Sequence, residues 1–300
     1  MMFTEAIQVK KGQFYADGRQ LELAGSHTWN TVQSIAGEKV SLDSLTGNFT
    51  RLWTVETKGF VLGNKFYGSN TTGLGRVDVV PWKKDGRLNS QFYSQFEKTV
   101  RRAEERDIVV GVCLFDNAWT AYMDRGWEFH PFNGLGPADP SQVHTKGSWN
   151  KFQRAHTKQL VKTLEPYNNV IFEVGNELHR DSVPWFQNKV VQWVQKWTDK
   201  PVGVSYASRV KPSAGRTQDW IAKTGADWAA PAGGERIPGF RGAYVFDTDH
   251  TSALTTNVGG LQAAWQRGDA LWLMDGLGGD ILRNRDNLAP DRAFIDSLAS

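Results

Sequence analysis

A short run of β-forming apolar residues followed by a longer helical pattern recurs about eight times in this chain, and that rhythm limits its fold more than any other feature. The strand candidates are Leu21 to Ala24, Phe49 to Trp53, Ile108 to Phe115, Val170 to Val174, Val202 to Tyr206, Asp227 to Ala230, Ala243 to Phe246 and Leu271 to Met274. Between them, Phe92, Phe96, Val100 and Ala103 share one helical face, as do Trp149, Phe152, Leu160 and Leu164, and then Phe186, Val190, Trp193 or Val194, and Trp197. Ser90, Ser148 and Ser182 stand where N-caps are expected. Alternating β and α segments with nearly continuous apolar strands describe a parallel sheet covered by helices, either open and doubly wound or closed as a (β/α)8 barrel. Links from helix to strand are short, as from Glu105 to Asp107 and from Asp199 to Pro201, whereas links from strand to helix reach residues 54–89 and 116–147. One elaborated face favours the barrel, whose long loops wall a cleft over the carboxyl ends of the strands. The expectation is therefore α/β class, with one (β/α)8 domain over residues 1–300. An N-terminal β-hairpin at about 5–20, with Ile7-Gln8-Val9, Gln13-Phe14-Tyr15 and the turn Asp17-Gly18, is expected to plug the barrel floor.

Composition removes several classes. Thirty-five basic and 32 acidic residues give a net charge of +3 with no basic stripe, so no nucleic-acid partner is expected. The single cysteine, Cys113, lies in an apolar run and reads as a buried, inert thiol. The first thirty residues carry Glu5, Lys10, Lys11 and Asp17 and hold no apolar stretch of signal-peptide length, and no later run approaches a membrane span. A cytoplasmic location without membrane contact is the expectation. Tryptophan is abundant, 13 against 7 tyrosines; its flat face suits sugar stacking and core filling alike, so position must decide. Trp29, Trp53, Trp119 and Trp228 fall at strand ends or in the mouth loops and are stacking candidates, whereas Trp193, Trp197 and Trp265 fall on helix faces and read as core.

Polar residues that end separate strands converge in such a barrel: Arg51, Asp116 with Asn117, Asn176 with Glu177, and Asp247 with Asp249. Glu177 closes the dry segment Asn169 to Glu177, where partial burial lifts a carboxyl pKa and suits a general acid. Asp247 and Asp249 alternate onto one face of an extended strand and supply the second carboxylate. Two carboxyls about 5 Å apart across a glycosidic bond give retaining hydrolysis, and a wider gap admits a water and inverts. Arg51 is a charge inside an apolar strand and needs an anion, which Asp247 or Asp249, Glu56 or Glu173 can provide. Glu173 sits deeper and suits a supporting ion pair. His27, His250, Tyr206 and Asp275 join the substrate-binding candidates, while His156 lies on an apolar helix face and reads as a core histidine.

At these positions the chain resembles the clan A glycoside hydrolases, retaining (β/α)8 enzymes whose fourth strand ends in Asn-Glu with the glutamate as acid/base; Asn176-Glu177 matches that pair. More narrowly, Leu23 to Asn30, Arg51 to Thr54, Asp247-Thr248-Asp249-His250, Trp265…Arg267-Gly268 and Leu273-Met274-Asp275 look like the apiosidase-like branch, bacterial barrels associated with complex plant glycans. The similarity runs from about residue 8 to 285. The clan normally carries a glutamate on strand seven, where this chain has aspartates. The resemblance implies a glycosidase acting on a complex oligo- or polysaccharide by double displacement, with a carbohydrate as its partner and no cofactor or metal. Two alternatives remain: a glycan-binding barrel without turnover, which the missing glutamate would suit, and a metal-dependent hydrolase built on Asp249, His250 and His27.

Overall fold

The computed structural model describes residues 3–28, 32–33, 42–62, 65–66, 76–117, 125–176, 178, 183–206, 218–250, 256–275 and 288–298. Eight parallel strands make one sheet: β1 (Ala24–His27), β2 (Phe49–Trp53), β3 (Val109–Asp116), β4 (Val170–Asn176), β5 (Val202–Ser205), β6 (Trp228–Ala230), β7 (Ala243–Asp247) and β8 (Ala270–Met274). Their order is β1-β8-β7-β6-β5-β4-β3-β2, which rolls the sheet into a nearly closed (β/α)8 barrel. The seam between β1 and β2 is closed by local bonds, with Thr50 Oγ1 donating to Ser26 O (3.0 Å) and Asn48 N to Ala24 O (2.9 Å). Backbones approach so closely there that a Cβ at Gly25 would lie 2.0 Å from Phe49 O, and one at Gly47, which has φ +78°, would lie 2.1 Å from Ala24 O.

Helices α1 (Ser90–Glu104), α2 (Asn150–Leu164), α3 (Val183–Gln195), α4 (Val258–Gln266) and α5 (Ala289–Leu298) surround the sheet. Phe92, Phe96, Val100 and Ala103 form the fully buried face of α1, as their spacing requires. His156, buried on α2, donates from Nε2 to Leu114 O (3.1 Å) and faces the Tyr93 hydroxyl with Nδ1 (3.0 Å), and is thus the expected core histidine. The serine caps are corrected: Asn89 precedes α1 and Trp149 precedes α2, neither with a side-chain cap bond, and Ser182 lies outside the described residues. Asn89 is instead spent on the preceding loop, donating to Val80 O and Pro81 O. No helix among the described residues is long and apolar enough to cross a membrane.

The N-terminal hairpin is a three-stranded antiparallel sheet, Gln8–Lys10, Gln13–Ala16 and Arg19–Gln20. Its turns at Lys11-Gly12 and Asp17-Gly18 both have positive φ at two positions, the twist that tight hairpins need. Leu21, expected to start β1, prolongs this sheet by bonding Phe14 O, so the barrel strand begins three residues later and carries His27 inside it. Ile7, Phe14 and Ala16 pack against Phe49, Val109, Ile171, Trp228 and Trp272, closing the barrel floor.

Trp228 is corrected from a sugar-stacking candidate to core. It opens β6 rather than closing it, is fully buried, and meets Trp272 edge to face at 5.5 Å between ring centroids. Each indole occupies the space above a glycine: a Cβ at Gly203 would lie 2.0 Å from Trp228, and one at Gly111 would lie 2.3 Å from Trp272.

Candidate active site

Inward and outward residues alternate along β3 until its end. Val109 and Gly111 contact the floor cluster, Cys113 faces Arg51 and Glu173, and Val110, Val112 and Leu114 pack outward. Phe115 then also faces outward, 5.2 Å from Phe186 and 5.5 Å from His156 between centroids, and this break in parity returns Asp116 to the barrel mouth. The neighbouring β4 makes the same step at Gly175, where a Cβ would lie 2.9 Å from Leu178 and 3.0 Å from Phe115 O. Asn176 thereby joins Glu173 on the inside.

The centre of the mouth is Arg51. Its Nε and Nη2 grip the two oxygens of Glu173 at 2.6 and 2.5 Å, Nη1 reaches Asp247 Oδ2 at 3.3 Å, and Nη2 also donates to Asn176 Oδ1 at 3.2 Å. All four side chains are buried. Burial works against the guanidinium charge, but Glu173 and Asp247 more than offset it, so its pKa lies above the usual value. Trp53 covers the cation, with its ring centroid 4.7 Å from Cζ. Of the partners offered by sequence, Glu173 takes the bidentate role and Asp247 the weaker contact. Among the described residues, two carboxylates, Glu173 and Asp247, face this one cation.

Asp247 is held from three sides. Besides Arg51, it faces His27 Nε2 at 3.4 Å, and its Oδ1 accepts the Asp249 N–H at 2.9 Å, capping the turn Thr248–His250. His27 is fully buried, and desolvation lowers its pKa despite the opposing pull of Asp247. A neutral ring that donates from Nε2 to Asp247 keeps Nδ1 as an acceptor, and Nδ1 has no partner among the described residues. Trp53 Nε1 and both polar ends of the Asn117 amide, just past β3, are likewise buried without partners among the described residues.

The remaining candidates are distributed as follows. Asp116 accepts Asn176 Nδ2 at 2.9 Å. Tyr206 follows β5 but packs edge-on against Trp220 at 6.2 Å and against the outer core. Asp275 is engaged by Arg292 from α5. Glu177, Trp29 and Trp119 lie outside the described residues, as does the side chain of His250. Among the described residues, no group of three or more His, Cys, Asp or Glu is arranged to hold a metal ion.

A second buried cluster escapes the sequence reading. Glu56, just past β2, accepts His130 Nε2 at 3.2 Å, His144 Nε2 at 3.3 Å and the backbone N–H of Asp116 at 3.0 Å. Burial pushes its pKa up, yet His144 and His130 prevail and hold it down at about 2. The available signal was a carboxylate beyond a strand end combined with histidines in the long loop between β3 and α2.

His27, His130 and His156 are all depressed by burial, His156 to about 4. The unfolded chain protonates these rings near pH 6.5 and the folded chain does so only lower, so the unfolded state binds more protons in between. Stability is expected to be full above about pH 6.5 and to fall as pH drops toward 4. Urea midpoints across that range should show the decline, and His156→Gln should show a shallower one. A flat profile would contradict the burial of these rings.

No protein-family profile and no curated protein matches the sequence. Solved structures share its fold. The catalytic domain of a Thermobifida fusca endoglucanase, crystallised with cellotetraose, aligns with a TM-score of 0.56 at 14% identity, covering 98% of this chain and 97% of that one. An endo-β-1,4-mannanase from Thermotoga petrophila aligns at 0.55 and 12%, covering 94% and 77%. An exo-β-1,4-mannosidase from an Opitutaceae bacterium aligns at 0.59 and 13%, covering 97% and 61%. The chain spans 55% of the length of a further match from Bacteroides vulgatus. The fold is thus the (β/α)8 barrel also found in these glycoside hydrolases.

Proposed function

We propose that this protein is a glycoside hydrolase that cleaves O-glycosidic bonds of a complex oligo- or polysaccharide with retention of configuration. The observation that carries the reading is the Arg51 network, which assembles carboxylates from β4 and β7, the Asn176 amide and a buried histidine at the carboxyl end of the barrel. Carboxylates gathered in a dry mouth stabilise the oxocarbenium-like transition state of glycoside cleavage, and the atoms of His27, Trp53 and Asn117 that have no partner among the described residues are suited to sugar hydroxyls.

In this reading Glu177 protonates the leaving glycosidic oxygen and then activates water, and Asn176 bonds the sugar hydroxyl beside the reacting carbon. Asp249 attacks the anomeric carbon. Asp247, whose oxygens already serve Arg51, His27 and the Asp249 N–H, fixes the turn that presents it. Likeness to the apiosidase-like branch directs the substrate search to plant glycans.

Trapping with a 2-fluoro glycoside of a cleaved sugar, followed by peptide mapping, is expected to place the added mass on Asp249. A label on Asp247 would exchange the two roles, and binding of glycans without turnover would support a binding barrel.

A further inference from the structure

The parity break that turns Asp116 into the mouth needs a holder, because the Asp116 N–H bonds the carboxylate of Glu56. That carboxylate is fully buried and accepts three donors. His130 Nδ1 accepts the backbone N–H of Phe132 at 3.0 Å, so its proton sits on Nε2 and points at Glu56 Oε2. His144 comes from the same long loop between β3 and α2, with its ring 4.8 Å from Phe186 on α3. From Glu56 the connections run through Asp116 to the Asn176 amide, whose nitrogen is held by Asp116 Oδ1 and whose oxygen accepts from Arg51.

We infer that Glu56, clamped by His130 and His144, is a positioning residue: it locks the inward turn of Asp116 and so aims the Asn176 amide at the hydroxyl beside the scissile bond. The inference rests on the glycosidase reading and adds to it a control point outside the sugar contacts. Glu56 touches no reacting atom. Its influence is directional, since Asp116 takes the nitrogen and Arg51 the oxygen of the Asn176 amide, and losing the Glu56 bond loosens the Asp116 anchor. Hydrogen bonds to the 2-hydroxyl strengthen in the transition state of glycoside cleavage, so misdirection of this amide should appear in kcat more than in KM.

The test is a comparison of wild type and Glu56→Gln on an aryl glycoside and on its 2-deoxy counterpart. The variant is expected to lower kcat on the parent about 100-fold, the scale of a small misplacement, with KM within about twofold. On the 2-deoxy substrate, which has nothing for Asn176 to grasp, the loss should be under about threefold. Where Glu56→Gln fails to fold, His144→Phe, which removes one donor and keeps the carboxylate, takes its place with the same expected pattern. Equal slowing on both substrates, or no slowing on either, would overturn the inference while leaving the glycosidase reading intact. A wild-type protein that turns over no glycoside would instead overturn that reading, and the inference with it.

Discussion

Glu177→Gln is expected to slow hydrolysis of a glycoside with a poor leaving group on the order of 10³-fold and to leave the fold unchanged. The size follows from the work assigned to this carboxyl. An alkoxide leaving group is too basic to depart unprotonated, and a positioned acid lowers the barrier to bond cleavage by supplying that proton in the transition state. A dinitrophenyl glycoside, whose leaving group departs without help, should retain most of its first-step rate in the same variant. Azide should then restore turnover by replacing the water that Glu177 no longer activates. Residue 177 immediately follows Asn176, which the structure fixes at the mouth of β4, beside Arg51. Uniform slowing across leaving groups would remove Glu177 from the acid role, and unchanged turnover would remove it from the mechanism.

Arg51→Met should produce the largest loss of stability, about 3–5 kcal/mol, because it takes the guanidinium away from the buried carboxylates of Glu173 and Asp247. That is a large part of the roughly 5–15 kcal/mol that holds a domain together. Arg51→Lys should recover little, since a single ammonium cannot span both Glu173 oxygens as the guanidinium fork does. Adding Glu173→Leu to Arg51→Met should restore part of the loss by removing one of those carboxylates. Urea unfolding monitored by tryptophan fluorescence reads all three. A loss below about 1 kcal/mol would mean that the carboxylates find water or protons where the structure gives them Arg51.

The strands were legible because buried parallel strands are written as nearly continuous apolar runs, and Phe49 to Trp53 has the same limits in sequence and structure. The need of Arg51 for an anion was legible too, since a charge in an apolar strand admits few explanations. Other features were hidden for physical reasons. Trp228 opens a strand of three residues, and in so short an element the two ends cannot be told apart by pattern. Leu114 and Phe115 are both apolar, so nothing local reveals that both point outward and that alternation fails there. Glu56 meets histidines 74 and 88 residues away, a separation at which no periodicity survives. The caps expected at Ser90 and Ser148 failed because Asn89 and Trp149, which precede α1 and α2, are bonded into their own loops.

The paired glycines and tryptophans at the barrel floor tie distant positions into shared volumes. Gly203 and Trp228 stand side by side in register on adjoining strands, while Gly111 and Trp272 come from strands far apart in the chain. A larger side chain at either glycine is tolerable only if the facing indole shrinks in the same step, and a smaller ring opens a void unless its glycine grows. Descendants of this chain should therefore change these sites in couples, each couple inheriting a fixed sum of bulk rather than a fixed pair of residues.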